Sequence, residues 1–499
     1  MSVRRNIVLA LAALAWVLVA ILFATGSISG AHTVVPPSGV SPACIPAELN
    51  GSSLLPGTNV TVSPAPSSQS ASTSTQISFL GTPVTQISNV AVEGSRTGYH
   101  YGHLYGYYQG DGGSFVSDRP FAAGERVHVR ALVGVGARQH GVAYSFVVAT
   151  PYPMQTSKPF PNAPAPPSSV QSFVSATALH PPILSVTTPD RDPGAGAVMM
   201  TVGPGPGQYG PLIFGSDGRL VWFDPLAGGA AAEDLQVQPY EGQDVLTWWQ
   251  GKVLMPGFGQ GQDVVMDSNY QTVATVRAGN GYEADLHDFQ IVPGNVAYLT
   301  VYDFIRCDLS PLGGVRNGVL IDTAVQAVDM KTGLVRWEWH SLDNVDARAS
   351  HAPAPKEAVP WDWFHLNSVD PQSDGRVLIS ARSTWAAYEL EERSGRILWQ
   401  LGGEHPSFAM GPGTESAWQH DARVQPDGTI TMFDNGSSPR VHFQSRAVRV
   451  AIDARRRAES LVRVYAHPQS PLLADSQGDM QTLADGNTLV GWGAIPSVS

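Results

Sequence analysis

The chain is poor in the features that would name several function classes at once. Only two cysteines, Cys44 and Cys307, occur among 499 residues, which excludes a four-cysteine metal site and allows at most one disulfide. Basic clusters are missing too: almost all positive charges are arginines set singly along the chain, and the formal net charge is -12. That balance argues against nucleic acid and other anionic polymers as partners. Long stripes of helical period are scarce beyond the N-terminus, whereas Gly (51), Pro (39), Thr and Val are plentiful, so the class is mostly β. A hydrophobic content of 43% over this length is enough for a substantial core and for two or three globular domains.

One long apolar run is present, from Ile7 to Ala24 behind Arg4 and Arg5. Residues 1–30 therefore read as a secretory signal or a single membrane anchor, and either device places the rest outside the cytoplasm, secreted or membrane-anchored. In that oxidising setting Cys44 and Cys307 could pair across the chain or stay unpaired; the sequence leaves both open. It also leaves the oligomeric state open, a homodimer included.

Composition then divides the chain. Residues 31–75 are rich in Ser, Thr and Pro and read as a linker. Short alternating segments over 76–150, such as Arg126-Val-His-Val-Arg-Ala-Leu-Val133, suggest a small β-sandwich. A second Pro-rich linker covers 151–180.

The remainder, 181–499, repeats loosely. Asp-Gly, Thr-Gly or Ser-Gly turns at Asp217, Thr332, Asp374, Ser394, Asp427 and Asp485 each open a β-run. Some runs end in tryptophan, at Trp222, Trp337 and Trp399, which reads as packing between repeats. The spacing from His365 to His420 to Gly478 fits the blades of a β-propeller, five or six of them over this length. In such a fold the innermost strands begin near a shared channel, and three of those starts carry a histidine: Leu286-His287-Asp288, Phe364-His365-Leu-Asn367 and Gln419-His420-Asp421. One histidine alone would read as a satisfied structural group. Three in register read as a site. Asp288 and Asp421, next in sequence, should face the other way on a strand and be structural.

Asp362-Trp-Phe-His365-Leu-Asn-Ser, Leu-Ile-Ser-Ala-Arg382-Ser-Thr, Ile-Leu-Trp-Gln-Leu-Gly-Gly403 and Trp418-Gln-His420-Asp-Ala together resemble the bacterial arylsulfate sulfotransferase family, in particular its actinobacterial and fungal branch. The resemblance runs from about Pro182 to the C-terminus. It implies an all-β chain, a six-bladed propeller behind a β-sandwich, exported, that moves a sulfuryl group from an aryl sulfate to a phenol with no nucleotide donor, cofactor or metal. It also implies His420 as covalent nucleophile, with His287, His365 and Arg382 around the sulfate; Asn367 is added as a substrate-orienting residue because it faces the same way as His365. The cysteine pair that some members carry near Gly402 to Trp418 is missing here. A final blade completed by strands from 198–224 is expected, since an open ring would leave unpaired edges. The rival readings are a non-catalytic extracytoplasmic propeller, a quinoprotein-like dehydrogenase suggested by Ala327 to Trp337, and a zinc hydrolase built on the three histidines.

Overall fold

The computed structural model describes residues 44–46, 48–153, 167–188, 196–203, 205–255 and 257–499. All of them lie in the compact unit Ser41–Ser499. The apolar run near the N-terminus falls outside the described residues; among these no helix is long and apolar enough to cross a membrane.

The fold is all-β. Its first module is a sandwich of two four-stranded antiparallel sheets. One sheet orders Thr61–Ser63, Ile77–Leu80, Gly112–Ser117 and Gly102–Gly106; the other orders Gly98–His100, Ile87–Gly94, Arg126–Val135 and Arg138–Val147. Period-two alternation drives this layering: along Arg126–Val135 the residues Val127, Val129, Ala131 and Val133 turn inward against Phe79, Phe115 and Phe146, while their neighbours face out. The tyrosines of the 99–108 run are exposed: Tyr99, Tyr101, Tyr105 and Tyr108 lie on or beside the two edge strands.

The expected linker over 31–75 needs correcting where it is described. Thr61–Ser63 is a strand of the sandwich, and Leu55, Val60, Val62 and Ala71 are buried in its core. Its hydroxyls are used as glue rather than left to water: Thr61 Oγ1 donates to Arg393 O at 2.5 Å and Ser63 Oγ to Glu338 O at 3.4 Å, both in the downstream domain. Polar composition misled because short hydroxyl side chains satisfy neighbouring carbonyls as well as solvent does. The two modules are joined further by Ser78 Oγ donating to Val335 O at 2.7 Å and by a two-pronged Arg336–Asp111 pair at 2.9 Å. Cys44 and Cys307 form a disulfide across 263 residues, fastening the segment before the sandwich to the end of the long strand Val296–Cys307.

From Ala197 onward six sheets among the described residues follow one another in chain order as a propeller-like series, antiparallel except where Pro360–Trp361 joins Gly318–Asp329 in parallel. A three-stranded sheet (Ala197–Thr201, Pro211–Gly215, Leu220–Phe223) precedes four meanders that begin at Ala231–Tyr240, Phe289–Val292, Leu366–Pro371 and His420–Val424. A two-stranded ladder, Asp479–Thr482 with Thr488–Gly491, comes last. Trp337 is fully buried within this series, while Trp222 and Trp399 pack on neighbouring clusters. The expected pairing of the last strand with 198–224 is not made among the described residues. Instead the chain's own tail covers that edge: Val490 and Ser499 exchange backbone hydrogen bonds, and Trp492 N donates to Ser497 O.

The first strand of each meander is an edge of its own sheet, so its outward N–H groups need acceptors. In the last three meanders and the closing two-stranded ladder they find them on, or one residue before, the first strand of the preceding sheet. Asp234 and Gln238 accept from Phe289 N and Ile291 N at 3.0 and 2.7 Å, and Asp288 accepts from Val369 N at 2.6 Å. Ser368 and Asp370 accept from Ala422 N and Val424 N at 3.0 and 2.7 Å, and Asp421 accepts from Met480 N at 3.2 Å. This side-chain ladder sets five first strands side by side.

Because the disulfide closes a very long loop, replacing Cys44 and Cys307 together by serine should destabilise the chain by about 2–5 kcal/mol. A thermal melt of the double variant, alongside the parent with and without reductant, checks this; an unchanged melting temperature would refute it.

Candidate active site

Each histidine expected at a strand start sits where the ladder begins. His287 lies two residues before Phe289–Val292, His365 immediately before Leu366–Pro371, and His420 opens His420–Val424. One ring nitrogen from each lies within 4.8 Å of those of the other two. The His287 and His365 ring centres are 4.9 Å apart, those of His365 and His420 5.9 Å, and both pairs meet edge-on. His420 and His365 are 4% and 5% exposed, so the cluster is a desolvated one.

The backbone is bent to achieve this. His365 adopts a left-handed conformation at φ 59°, an arrangement that costs about 1–3 kcal/mol for a residue with a Cβ and collects at functional sites. Two bonds hold it: Arg382 N donates to His365 O at 2.9 Å, and Ser383 N to Phe364 O at 3.0 Å. The same bonds bring Arg382 beside the histidines. Its guanidinium lies over the Trp418 ring at 4.7 Å and donates once, to Asp475 O at 3.2 Å. Nε is buried without a protein partner, and among the described residues Arg382 makes no ion pair. Burial pulls its proton affinity down, while Asp362, Tyr302 and Asp475 pull it back up.

Three residues absent from the expected set fix the imidazoles. His287 Nδ1 bonds Asp285 Oδ2 at 2.5 Å, His365 Nδ1 bonds Asp362 Oδ2, and His420 Nδ1 bonds Asn435 Oδ1 at 2.7 Å. Each partner accepts, so the network places a proton on Nδ1 of all three rings, and at His420, where the acceptor is an amide, Nε2 is left unprotonated. At His420 the Gln477 N–H donates to Nε2 at 3.3 Å, consistent with a lone pair there. Burial lowers the His420 pKa well below 6.5, and the charges of His365, Arg382 and His287 lower it further. Burial also lowers His365, but Asp362 opposes the shift. His420 is thus a neutral imidazole at neutral pH.

Asn367 is less directly engaged than expected. Its Nδ2 donates to Gln419 O at 2.8 Å, tying two neighbouring sheets together just before His420, while Oδ1 is buried without a protein partner. Asp288 and Asp421 face the scaffold: both pair with Arg423, at 2.9 and 2.6 Å, besides their place in the strand ladder. Tyr302 is a further neighbour that sequence gave no reason to choose. Its ring stacks on His287 at 5.4 Å and meets His365 edge-on at 5.8 Å, its hydroxyl donates to Leu366 O at 2.8 Å, and burial keeps it un-ionised. Trp418, which lies under Arg382, meets Trp385 edge-on at 5.2 Å.

Three clustered imidazoles backed by acceptors are also what a divalent cation would use. Two features here oppose it: the nearby Arg382 charge, and the Gln477 N–H already directed at His420 Nε2.

The arylsulfotransferase (ASST) family matches residues 236–499, more than half of the chain and all of the site. The chain belongs to the arylsulfotransferase family. It is therefore a sulfotransferase, and the histidine and arginine cluster lies within the matched region. No curated protein matches the chain. Among solved structures, virginiamycin B lyase from Staphylococcus aureus with quinupristin, in a catalytically inactive form, is 9% identical over 63% of this chain and 86% of its own, at a TM-score of 0.32. A puromycin hydrolase variant is 13% identical over 91% and 58%, at 0.29, and an ACO/RPE65 chimera 11% identical over 85% and 88%, at 0.33.

One glycine tests the packing of the site. Gly257 has a φ of 111°, and a Cβ there would stand 3.1 Å from His365 Cε1. Gly257→Ala should displace the His365 ring and slow phenol release from an aryl sulfate by about tenfold to a hundredfold, the range for an ångström-scale misplacement. Steady-state kinetics on the folded variant check it; a parental rate would mean that His365 does not need its present position.

Proposed function

We propose that the chain transfers a sulfuryl group from an aryl sulfate ester to a phenol through a sulfohistidine on His420, in an exported domain built as a six-bladed propeller. The observation that carries this reading is the Arg382 guanidinium, with Nε unpartnered, beside a neutral, desolvated His420 whose unprotonated Nε2 meets only a long bond from Gln477 N. Sulfuryl transfer, like phosphoryl transfer, passes through a loose transition state with charge spread on three oxygens, so positioning and a donor fork can do most of the work. Arg382 supplies the fork, planar and permanently charged. The Gln477 N–H is the neutral donor nearest the attacking nitrogen. His365 and His287, each backed by a carboxylate, carry protons to and from the phenolic oxygens.

Export rests on Arg4, Arg5 and the apolar run Ile7 to Ala24. A C-terminal epitope should be digested by protease added to intact cells, and a protected tag would overturn this part of the reading.

The chemical part is tested with three variants and two donors, a nitrophenyl sulfate and unactivated phenyl sulfate. His420→Ala should release no phenol and take up no sulfuryl label by intact mass. Arg382→Lys should lose about a hundredfold with both donors, the scale seen when a transition-state donor is removed. His365→Asn should harm phenyl sulfate more than nitrophenyl sulfate, because only the poorer leaving group needs the proton. Transfer retained by His420→Ala would sink the covalent assignment. Transfer that is lost with chelation and restored by zinc would favour a metal centre on the three histidines instead.

A further inference from the structure

We infer that Asn435 is a positioning residue that makes His420, rather than either neighbour, the carrier of the sulfuryl group, and that it does so because it is an amide and not a carboxylate. The inference rests on the sulfohistidine reading above. By position the three histidines are alike: each stands at a first-strand start, each ring is nearly buried, and each Nδ1 meets a side-chain acceptor. What differs is the acceptor. His287 has Asp285, His365 has Asp362, and His420 has Asn435.

The orientation of Asn435 is determined by its other contacts. Its Nδ2 donates to Ala474 O at 3.2 Å and Gln477 O at 2.9 Å, so the atom facing His420 has to be the carbonyl oxygen. A carbonyl oxygen accepts the Nδ1 proton without being able to remove it. A carboxylate at the same place would stabilise the imidazolium and raise the His420 pKa, occupying the lone pair needed for attack. The Gln477 carbonyl held by Asn435 also belongs to the residue whose N–H meets His420 Nε2, so one side chain aligns both the ring and its nearest donor.

The effect extends to the intermediate. The Nε2 lone pair forms the N–S bond as the S–O bond to the aryl group breaks, and that electron pair leaves on the phenolic oxygen, which takes a proton from whichever of His365 and His287 carries one at Nε2 beside its carboxylate partner. The sulfonated ring then carries a positive charge, with Nδ1–H still donated to Asn435. In the second half-reaction the acceptor phenol gives its proton back to that neutral histidine and its oxygen forms the new S–O bond. The N–S pair returns to Nε2, and a cationic ring is a good leaving group. A carboxylate in place of the amide would draw the Nδ1 proton away, leaving a sulfonated imidazole that departs poorly.

The test uses the full chain with Asn435→Asp and Asn435→Ala, following the nitrophenol burst against pH and the sulfo-enzyme by intact mass. In the parent, the burst should be flat above about pH 6.5, the ordinary histidine value, since His420 titrates below it. N435D should move the acid limb upward by about 1–3 pH units, the usual effect of an adjacent carboxylate, and its sulfo-enzyme should persist when phenol is added. N435A should slow the burst by about tenfold, the scale of one lost hydrogen bond, with no upward movement of the limb and little change in KM. Since the new carboxylate oxygen of N435D would face two carbonyls, thermal melting accompanies it, and if it does not fold N435A decides alone. A parental limb in folded N435D, or a parental burst rate in N435A, overturns the assignment of Asn435 while a labelled parent enzyme keeps the sulfohistidine reading. A parent that takes up no sulfuryl group overturns both.

Discussion

An antiparallel meander leaves its first strand with one hydrogen-bonding edge unpaired, and burying that edge without acceptors would cost about 1–3 kcal/mol per N–H. This chain meets the requirement with side chains reaching from the preceding sheet: Asp234, Gln238, Asp288, Ser368, Asp370 and Asp421 each accept from a first-strand N–H of the next sheet. No continuous β-ladder could do the same between sheets that turn relative to one another. The side-chain ladder therefore fixes the register of one first strand against the next, and with it the level at which each strand begins. His287, His365 and His420 meet because they occupy the same step of that ladder.

Neighbouring residues consequently have opposite jobs. At Leu286-His287-Asp288 and Gln419-His420-Asp421 the histidine enters the site, while the next residue turns to the scaffold and pairs with Arg423. Strand alternation is enough to separate the two roles. Asp288 is deeply buried, and desolvation pushes its pKa up while Arg423 pulls it down. Breaking such a pair would strand a charge, so the ladder is rigid for electrostatic as well as geometric reasons. Rigidity there allows the strained His365 backbone to persist in the next turn.

Much of this could be read from the chain beforehand, for identifiable reasons. Turn pairs such as Asp427-Gly428 and the alternation after them have a local cause, so the strands Ile430–Asp434 and Arg376–Ala381 follow from neighbouring residues alone. The histidines were visible because they recur at one place in a repeat. Their partners were not equally visible. Asp285 and Asp362 lie two and three residues before their histidines, but which acid can turn back depends on a left-handed residue or a strand start that periodicity does not reveal. Asn435 is fifteen positions from His420 and reaches it only through the hairpin that pairs His420 with Phe433. The Ser- and Thr-rich segment through Thr61 was misread because composition says how polar a segment is, not whether carbonyls of another module await its hydroxyls.

Charge completes the argument for an anionic substrate. His420 is neutral against an amide, and Arg382 makes no ion pair among the described residues, although the charges of Asp362 and Asp475 reach it. Desolvation disfavours the Arg382 cation, and the negative charge of a sulfate monoester adds to the support that Asp362 and Asp475 give it. On the sulfohistidine reading that charge then stays in place. The aryl group leaves as a neutral phenol, the sulfuryl oxygens remain beside the guanidinium, and the charge departs only when the acceptor leaves as its own sulfate ester. A desolvated site can run both half-reactions only if neither requires it to accept or shed a net charge, because its surroundings cannot reorganise as water does. The amide at position 435 serves that condition, since it keeps the Nδ1 proton on the ring while the sulfuryl group is held.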